Sequence, residues 1–328
     1  MKSKVSTWFK KRLYSLSLLK AFGGDCLRYA RHGASPFRTP TREQLQAIVI
    51  MACHQLEKGM SLKNPRPGYG QEAAAHLLAN AETYAAIYGT DWLTGVVAGT
   101  WQAYVDFNRQ LGAEVEPTLA GRSRRFLARL TTAGGTRAGF RQVEKKDVLA
   151  KANIDLQGFY ESRFSVRNFA PEGVDRSLIE KAVDLARKTP SSCNRQEWKA
   201  YAFYDRQTKD RLLELQNGHR GFGEQIAVLL LLTADLQGTN HVKQRNQAWI
   251  DGGMFAMSLV YALHSLGLGT CCMNLCHNRR TDRRIRSEAG IPDAEVMLMM
   301  VAVGHLPDTF RVAYSPRKPL ADVLVQRG

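Results

Sequence analysis

The chain has 328 residues, 44% of them hydrophobic, and a net charge of +16. That length buries a sizeable core and allows two compact units, or one domain with a large extension. The charge is uneven. Residues 1–150 hold 22 Lys and Arg against 11 Asp and Glu, and residues 151–328 hold 24 against 19. The excess in the first part suits an anionic partner such as a phosphate, an acidic lipid or a nucleic acid, or else a simply solvated basic surface.

Cys26, Cys53, Cys193, Cys271, Cys272 and Cys276 form no CxxC pair and no disulfide framework. This argues against a zinc site and for a reducing compartment. The start of the chain is basic, without a long uncharged apolar core or a small-residue cleavage site. The longest apolar stretch, Ile226 to Ala234, is too short to span a bilayer. A cytoplasmic location is expected, with a peripheral membrane association open.

In chain order, residues 4–20 can form an amphipathic helix. Val5, Trp8, Phe9, Leu13, Leu16 and Leu19 share an arc opposite Lys10 and Lys11, with Arg12 and Lys20 intruding. Such a helix lies on a membrane surface or packs on its own protein or a dimer mate. Ser35 to Pro40 reads as a linker, and Thr41 with Gln44 as a capping box opening a helix that ends near Gly59. The Pro- and Gly-punctuated stretch Lys63 to Gly70 is a loop. Helices are predicted at about 71–88, 91–112 and 118–131, with a break over Thr132 to Gly139. Residues 1–150 are therefore expected to be almost wholly helical.

The remainder alternates. Helices are predicted at about 153–161, 175–188, 206–216, 243–266 and 281–289. Strands are predicted at Trp198–Tyr204, Ala227–Ala234, Thr270–Met273 and Val296–Val303.

Several short segments can carry chemistry. Arg163, Ser165 and Arg167 alternate, so in extended chain two cations and a hydroxyl point one way, suited to a phosphate and to an anionic ring. Thr189 to Trp198, with Ser191, Ser192 and Asn194, is a loop whose hydroxyls and amide can bond a heterocycle's edge. Gly267-Leu268-Gly269 ends a helix and runs into Cys271 to Leu275. Arg317-Lys318-Pro319-Leu320 is basic.

Taken in order, these segments resemble the nitroreductase-like FMN-dependent oxidoreductase family over about 155–325. The resemblance rests on Arg163-x-Ser165-x-Arg167 and Pro190-Ser191-Ser192-x-Asn194-x-Gln196. It also rests on Ala234-Asp235, Asp251-Gly252, Leu266-Gly267-Leu268-Gly269, Gly290-Ile291-Pro292, Val303-Gly304 and Arg317-Lys318-Pro319-Leu320. It implies an α+β, three-layer fold: a central mixed, mainly antiparallel sheet flanked by helices, preceded here by an all-helical N-terminal region. The implied division is a helical extension, 1–150, and an FMN-binding domain, 151–328.

By the same resemblance, Arg163 and Arg317 would grip the FMN phosphate. Ser165 and Arg167 would lie near the ribityl chain and the pyrimidine edge, with Arg167 stabilising the reduced anionic flavin. Ser191, Ser192 and Asn194 would contact FMN, partly across a homodimer interface. Asn274 and Leu275 would face the flavin N5 side, where the family often has Glu-Gly, and Glu197 replaces the family's usual proline. NADPH or NADH would deliver hydride to N5, and a small substrate of nitro, quinone or enone type would then take the electrons. No side-chain catalytic acid is obligatory in the family. No Gly-x-Gly-x-x-Gly motif announces a separate nicotinamide site.

His54, Glu57 and Lys58 could line the cleft as donors to a substrate. His54 and Glu57 share a helix face and Lys58 points away from Glu57, while Lys63 and Arg66 would make an anion-binding lid. The alternatives are a flavin-dependent oxidase or dehydrogenase in a biosynthetic pathway, or a non-catalytic adaptor on an anionic membrane surface. Nucleic acid is the least supported partner, because no aromatic-rich basic module is present.

Overall fold

The computed structural model describes residues 2–33, 38–130 and 137–328, with side chains from Ser15 onward. The linker residues Ser35 to Phe37, most of the Thr132 to Gly139 break, and the side chains of Val5, Trp8, Phe9 and Leu13 lie outside this description.

Helices α1 (Lys2–His32), α2 (Arg42–Met60), α3 (Gln71–Tyr88), α4 (Trp92–Gln110) and α5 (Pro117–Leu127) make up the first part. The capping box at Thr41 and Gln44 opens α2, as its sequence predicts. Helices α2 to α5 close around one core that includes Leu45, Val49, Leu56, Leu77, Leu78, Tyr84, Leu93 and Tyr104. Asp91, the N-cap of α4, ties three of them together. It accepts a 2.6 Å hydrogen bond from the Tyr84 hydroxyl on α3 and one of 3.1 Å from Arg42 on α2. Helix α1 does not join this bundle. Its last two turns lie on the C-terminal part, with Arg28 bonded to Asp282 and His32 to Asp293.

Two short helices follow, α6 (Lys145–Ala152) and α7 (Leu156–Glu161), the second being the helix predicted at about 153–161 with a later start. They break at Asp155, whose carboxylate accepts from the Gly158 N–H and starts the second. Neither helix buries a residue.

The C-terminal part contains α8 (Arg176–Ala186), β1 (Trp198–Phe203), α9 (Arg206–Glu214), β2 (Val228–Asp235), α10 (Gln247–Ser265), β3 (Leu268–Asn274), α11 (Arg279–Ala289) and β4 (Glu295–His305). The strands pair antiparallel in the order β1-β2-β4-β3. Every residue of β2 is buried, which explains its unbroken apolar run. Val228, Leu230 and Leu232 face α8 and α10, while Leu229 and Leu231 face the side covered by α9 and α11. The result is an α+β arrangement of three layers with the sheet in the middle.

One parallel contact makes the sheet mixed. Ser165 bridges Thr270 of β3, with the Val166 N–H donating to the Thr270 carbonyl at 2.8 Å, and the Ala170 N–H donates to His305 at 3.0 Å. This lays residues 165–170 across the ends of β3 and β4. Gly269 and Gly304, opposite each other in register, allow the close approach. A Cβ on Gly269 would lie 3.3 Å from Val166, and one on Gly304 would lie 2.8 Å from the Phe169 ring. Overpacking of this kind costs about 1–3 kcal/mol. Gly304→Ala is therefore expected to lower the urea-unfolding free energy by that amount, and an unchanged midpoint would show that the segment is not pinned there.

Candidate functional site

With Val166 and Phe169 buried beneath it, the 163–169 segment turns Arg163, Ser165 and Arg167 outward. The chain near residue 315 passes over them. Ser315 takes a left-handed conformation, φ 47°, and its carbonyl accepts from the Arg317 guanidinium at 2.6 Å. Arg163, Ser165, Arg167 and Arg317 consequently line one cavity of about 560 Å³, together with Tyr160, Glu161, Tyr261 and Tyr314. Among the described residues, no carboxylate forms an ion pair with Arg163, Arg167 or Arg317.

The surroundings favour the neutral forms of Tyr261 and His264. The Tyr160 and Tyr261 rings pack against each other with centroids 4.5 Å apart and planes tilted by 35°. Burial and Tyr160 push the Tyr261 hydroxyl up, against the pull of Arg163. His264 exchanges a 2.9 Å hydrogen bond with the Ser162 hydroxyl. Burial lowers the His264 pKa, the Phe159 backbone opposes this and the Arg163 cation adds to it, so the ring is uncharged near neutrality. Three guanidinium groups and a hydroxyl against the one unpaired carboxylate of Glu161 leave a net positive cavity that suits a phosphate and an adjoining anionic group. Sequence reading missed Tyr160, Tyr261 and Tyr314. Aromatics in helices and tails carry no local signature, and they read as core.

The other residues singled out by sequence lie elsewhere in the single chain. Ser191, Ser192 and Asn194 sit in the loop before β1. Cys193, Asn194 and Gln196 all take left-handed φ values of 53–57° there, a conformation costly for such residues. Hydrogen bonds hold it: the Ser192 N–H donates to Asp251 at 3.0 Å and the Gln196 N–H donates to the Ser191 hydroxyl at 3.0 Å. Beneath lies an ion pair between Arg195 and Glu197, 2.7 Å apart with side chains 0% and 3% exposed. Arg195 also donates to Gln244 at 2.7 Å and touches the Met51 sulfur of α2. Burial pushes the Glu197 carboxyl up and the Arg195 cation pulls it down, with the first effect larger.

Asn274 ends β3 and Leu275 follows it. The Asn274 carbonyl accepts from Gln216, and Leu275 packs against the core beneath α9 and α11. His54, Glu57 and Lys58 lie on α2, away from the arginine-lined cavity. Glu57 accepts from the Gly139 N–H at 3.0 Å, and its carboxyl is pushed up by burial against that bond and the His54 charge. Lys58 is exposed. Arg66 lines a separate cavity of about 710 Å³ with Gln55, Tyr69 and His76. Among the described residues there is no metal-binding cluster, and no helix is long and apolar enough to cross a membrane.

The layered fold and the cavity define an α+β domain with a basic site. Residues 160–305 match the profile of the Nitroreductase family, and the match covers a little under half of the chain. An FMN reductase [NAD(P)H] of Bacillus subtilis (strain 168) is 25% identical over 170 residues, covering 47% of this chain and 66% of its own length, just under two thirds. An FMN-dependent nitroreductase from Clostridium difficile R20291 superposes with TM-score 0.45 at 22% identity, covering 53% of this chain and 99% of its own. A putative nitroreductase in complex with FMN from Desulfovibrio desulfuricans gives TM-score 0.46 at 18% identity, covering 54% and 98%.

Removing one member of a buried ion pair strands the other, at a cost of about 3–5 kcal/mol. Arg195→Met should destabilise the protein to urea by that amount, and Arg195→Met combined with Glu197→Leu should recover most of it. A single substitution within about 1 kcal/mol of the parent would mean the pair does not organise the loop.

Proposed function

We propose that this protein is an FMN-dependent oxidoreductase, in which electrons from NAD(P)H pass to a small organic acceptor of the nitro, quinone or enone class. The observation that carries this reading is the convergence of Arg163, Arg167, Arg317 and Ser165 on one cavity, where three cations outnumber the single carboxylate of Glu161 and none of them is ion-paired to it among the described residues. The donor set fits a flavin phosphate at Arg163 and Arg317, the ribityl chain at Ser165, and the electron-rich edge of the ring at Arg167. Bound FMN would supply the two-electron carrier. The protein's part is to hold the phosphate, to favour negative charge on the ring through Arg167, and to bury one side of the cavity beneath Tyr160 and Tyr261.

Ser191, Ser192 and Asn194 enter this reading through a second copy of the chain. Support comes from α10, which exposes Trp249, Ile250, Met254 and Met257. A long helix with uncovered large apolar residues favours a partner over water. The reading therefore includes a homodimer and two structural units, residues 1–150 and 151–328, whose largest clusters of buried residues do not mix. A reducing, cytoplasmic setting accords with six free cysteines. His54, Glu57 and Lys58 receive no role in it.

The purified protein is expected to bind FMN, to show flavin absorption and to bleach anaerobically with NADPH or NADH. A protein that cannot take up FMN contradicts the proposal. FMN binding without bleaching would move the reading to an oxidase or dehydrogenase. Arg163→Met and Arg317→Met should each weaken FMN binding about 10- to 100-fold, as expected for a lost charge-assisted hydrogen bond. Met254→Glu with Met257→Glu should convert a dimer to a monomer by sedimentation velocity, and a monomeric parent would remove the interface from the account.

A further inference from the structure

Helix α1 meets the rest of the protein with its polar side. Gly24, Arg28 and His32 recur every four residues and form the contact face. Gly24 packs against the Arg279 side chain, Arg28 bridges Asp282 at 3.1 Å and Asp293 at 3.4 Å, and His32 reaches Asp293 at 2.8 Å. Tyr29 donates to the His241 carbonyl at 2.8 Å. Tyr29 also packs against the cluster of Ala234, Leu236, Ala248 and Val296, but the leucines and Phe22 point elsewhere. Leu16, Leu19, Phe22 and Leu27 are 52%, 69%, 66% and 65% exposed, and residues 15–23 are exposed on every side of the helix. A helix that turns ion pairs toward its own protein and leucines away from it is inverted relative to an ordinary surface helix.

The charge around this face selects its occupant. Residues 1–24 contain Lys2, Lys4, Lys10, Lys11, Arg12 and Lys20 and no acidic residue. Helix α11, to which α1 is bolted, exposes Arg280, Arg283 and Arg284. A second copy of a chain with net charge +16 would bring like charges together across this face. A nucleic acid would neutralise the cations and leave the leucines and the phenylalanine in water. An anionic bilayer surface satisfies both, taking the apolar side chains into the acyl boundary and the cations at the headgroups.

We infer that α1, with the arginines of α11 beside it, is a docking surface for an anionic membrane, and that it holds the protein on the bilayer without crossing it. This does not depend on the flavin reading, because none of these residues lines the cavity beneath Arg317. Such a surface would present the enzyme to substrates that partition into, or are carried on, the lipid phase.

The full-length protein should co-sediment with phosphatidylcholine vesicles containing phosphatidylglycerol and not with phosphatidylcholine alone, and high salt should release it. Leu19→Glu with Phe22→Glu should weaken this binding by about 100-fold or more. Arg283→Gln with Arg284→Gln should weaken it about 25-fold, because each surface cation contributes about five-fold. Both variants should keep the parent's thermal midpoint, which separates lost docking from lost folding. Failure to sediment with anionic vesicles, equal binding to neutral vesicles, or parent-like binding by the variants would overturn the inference. So would a change of oligomeric state on Leu19→Glu with Phe22→Glu in a protein that does not bind vesicles, since a second copy would then cover the face.

Discussion

Three guanidinium groups that share a cavity, with one unpaired carboxylate at Glu161 among them, repel one another, and only a well-supported backbone can keep them together. The support is the pairing of the 165–170 segment with the ends of β3 and β4, where the Val166 N–H meets the Thr270 carbonyl and the facing glycines 269 and 304 leave room for Val166 and Phe169. Buried apolar anchors beneath, alternating with cations above, convert packing free energy into a fixed electrostatic field. An anion entering that field would relieve the repulsion, which is the physical basis for the phosphate proposed there.

The loop before β1 shows the same logic with opposite charge bookkeeping. Its three left-handed residues are held by Asp251 of α10, and from below by a buried Arg195–Glu197 pair. Helix α2 closes over it, bringing Met51 against Arg195, while Thr41 bonds Gln237 at 2.8 Å. The helical unit is thus in contact with the loop that carries Ser191, Ser192 and Asn194, and a displacement of α2 would be felt there. Glu197, which stands where the resemblance leads one to expect proline, has a structural explanation in this contact: it neutralises an arginine that has no access to water.

Much of the layered domain was legible in the sequence because its signals are local. The all-buried β2 announced itself by its apolar run, the capping box at Thr41 opened α2 as expected, and the alternation of Arg163, Ser165 and Arg167 gave the shared direction that the structure shows. Arg317 was legible only through the resemblance, since 150 residues of chain separate it from Arg167 and only the path near Ser315 brings them together. The helix expected at 153–161 is present from Leu156, its start set by the N-capping Asp155. The destination of α1 was not legible either. Periodicity marks an apolar stripe but does not say which side the protein will cover, and here long-range ion pairs to Asp282 and Asp293 chose the polar side.

The central claim is that the cavity recognises a flavin through its phosphate. Fluorescence titration of flavin-free protein with FMN and with riboflavin separates the phosphate from the ring. The account predicts that FMN binds at least about 100-fold more tightly than riboflavin, as two charge-assisted contacts require, with the difference shrinking as salt is raised. Equal affinity for the two flavins would contradict it.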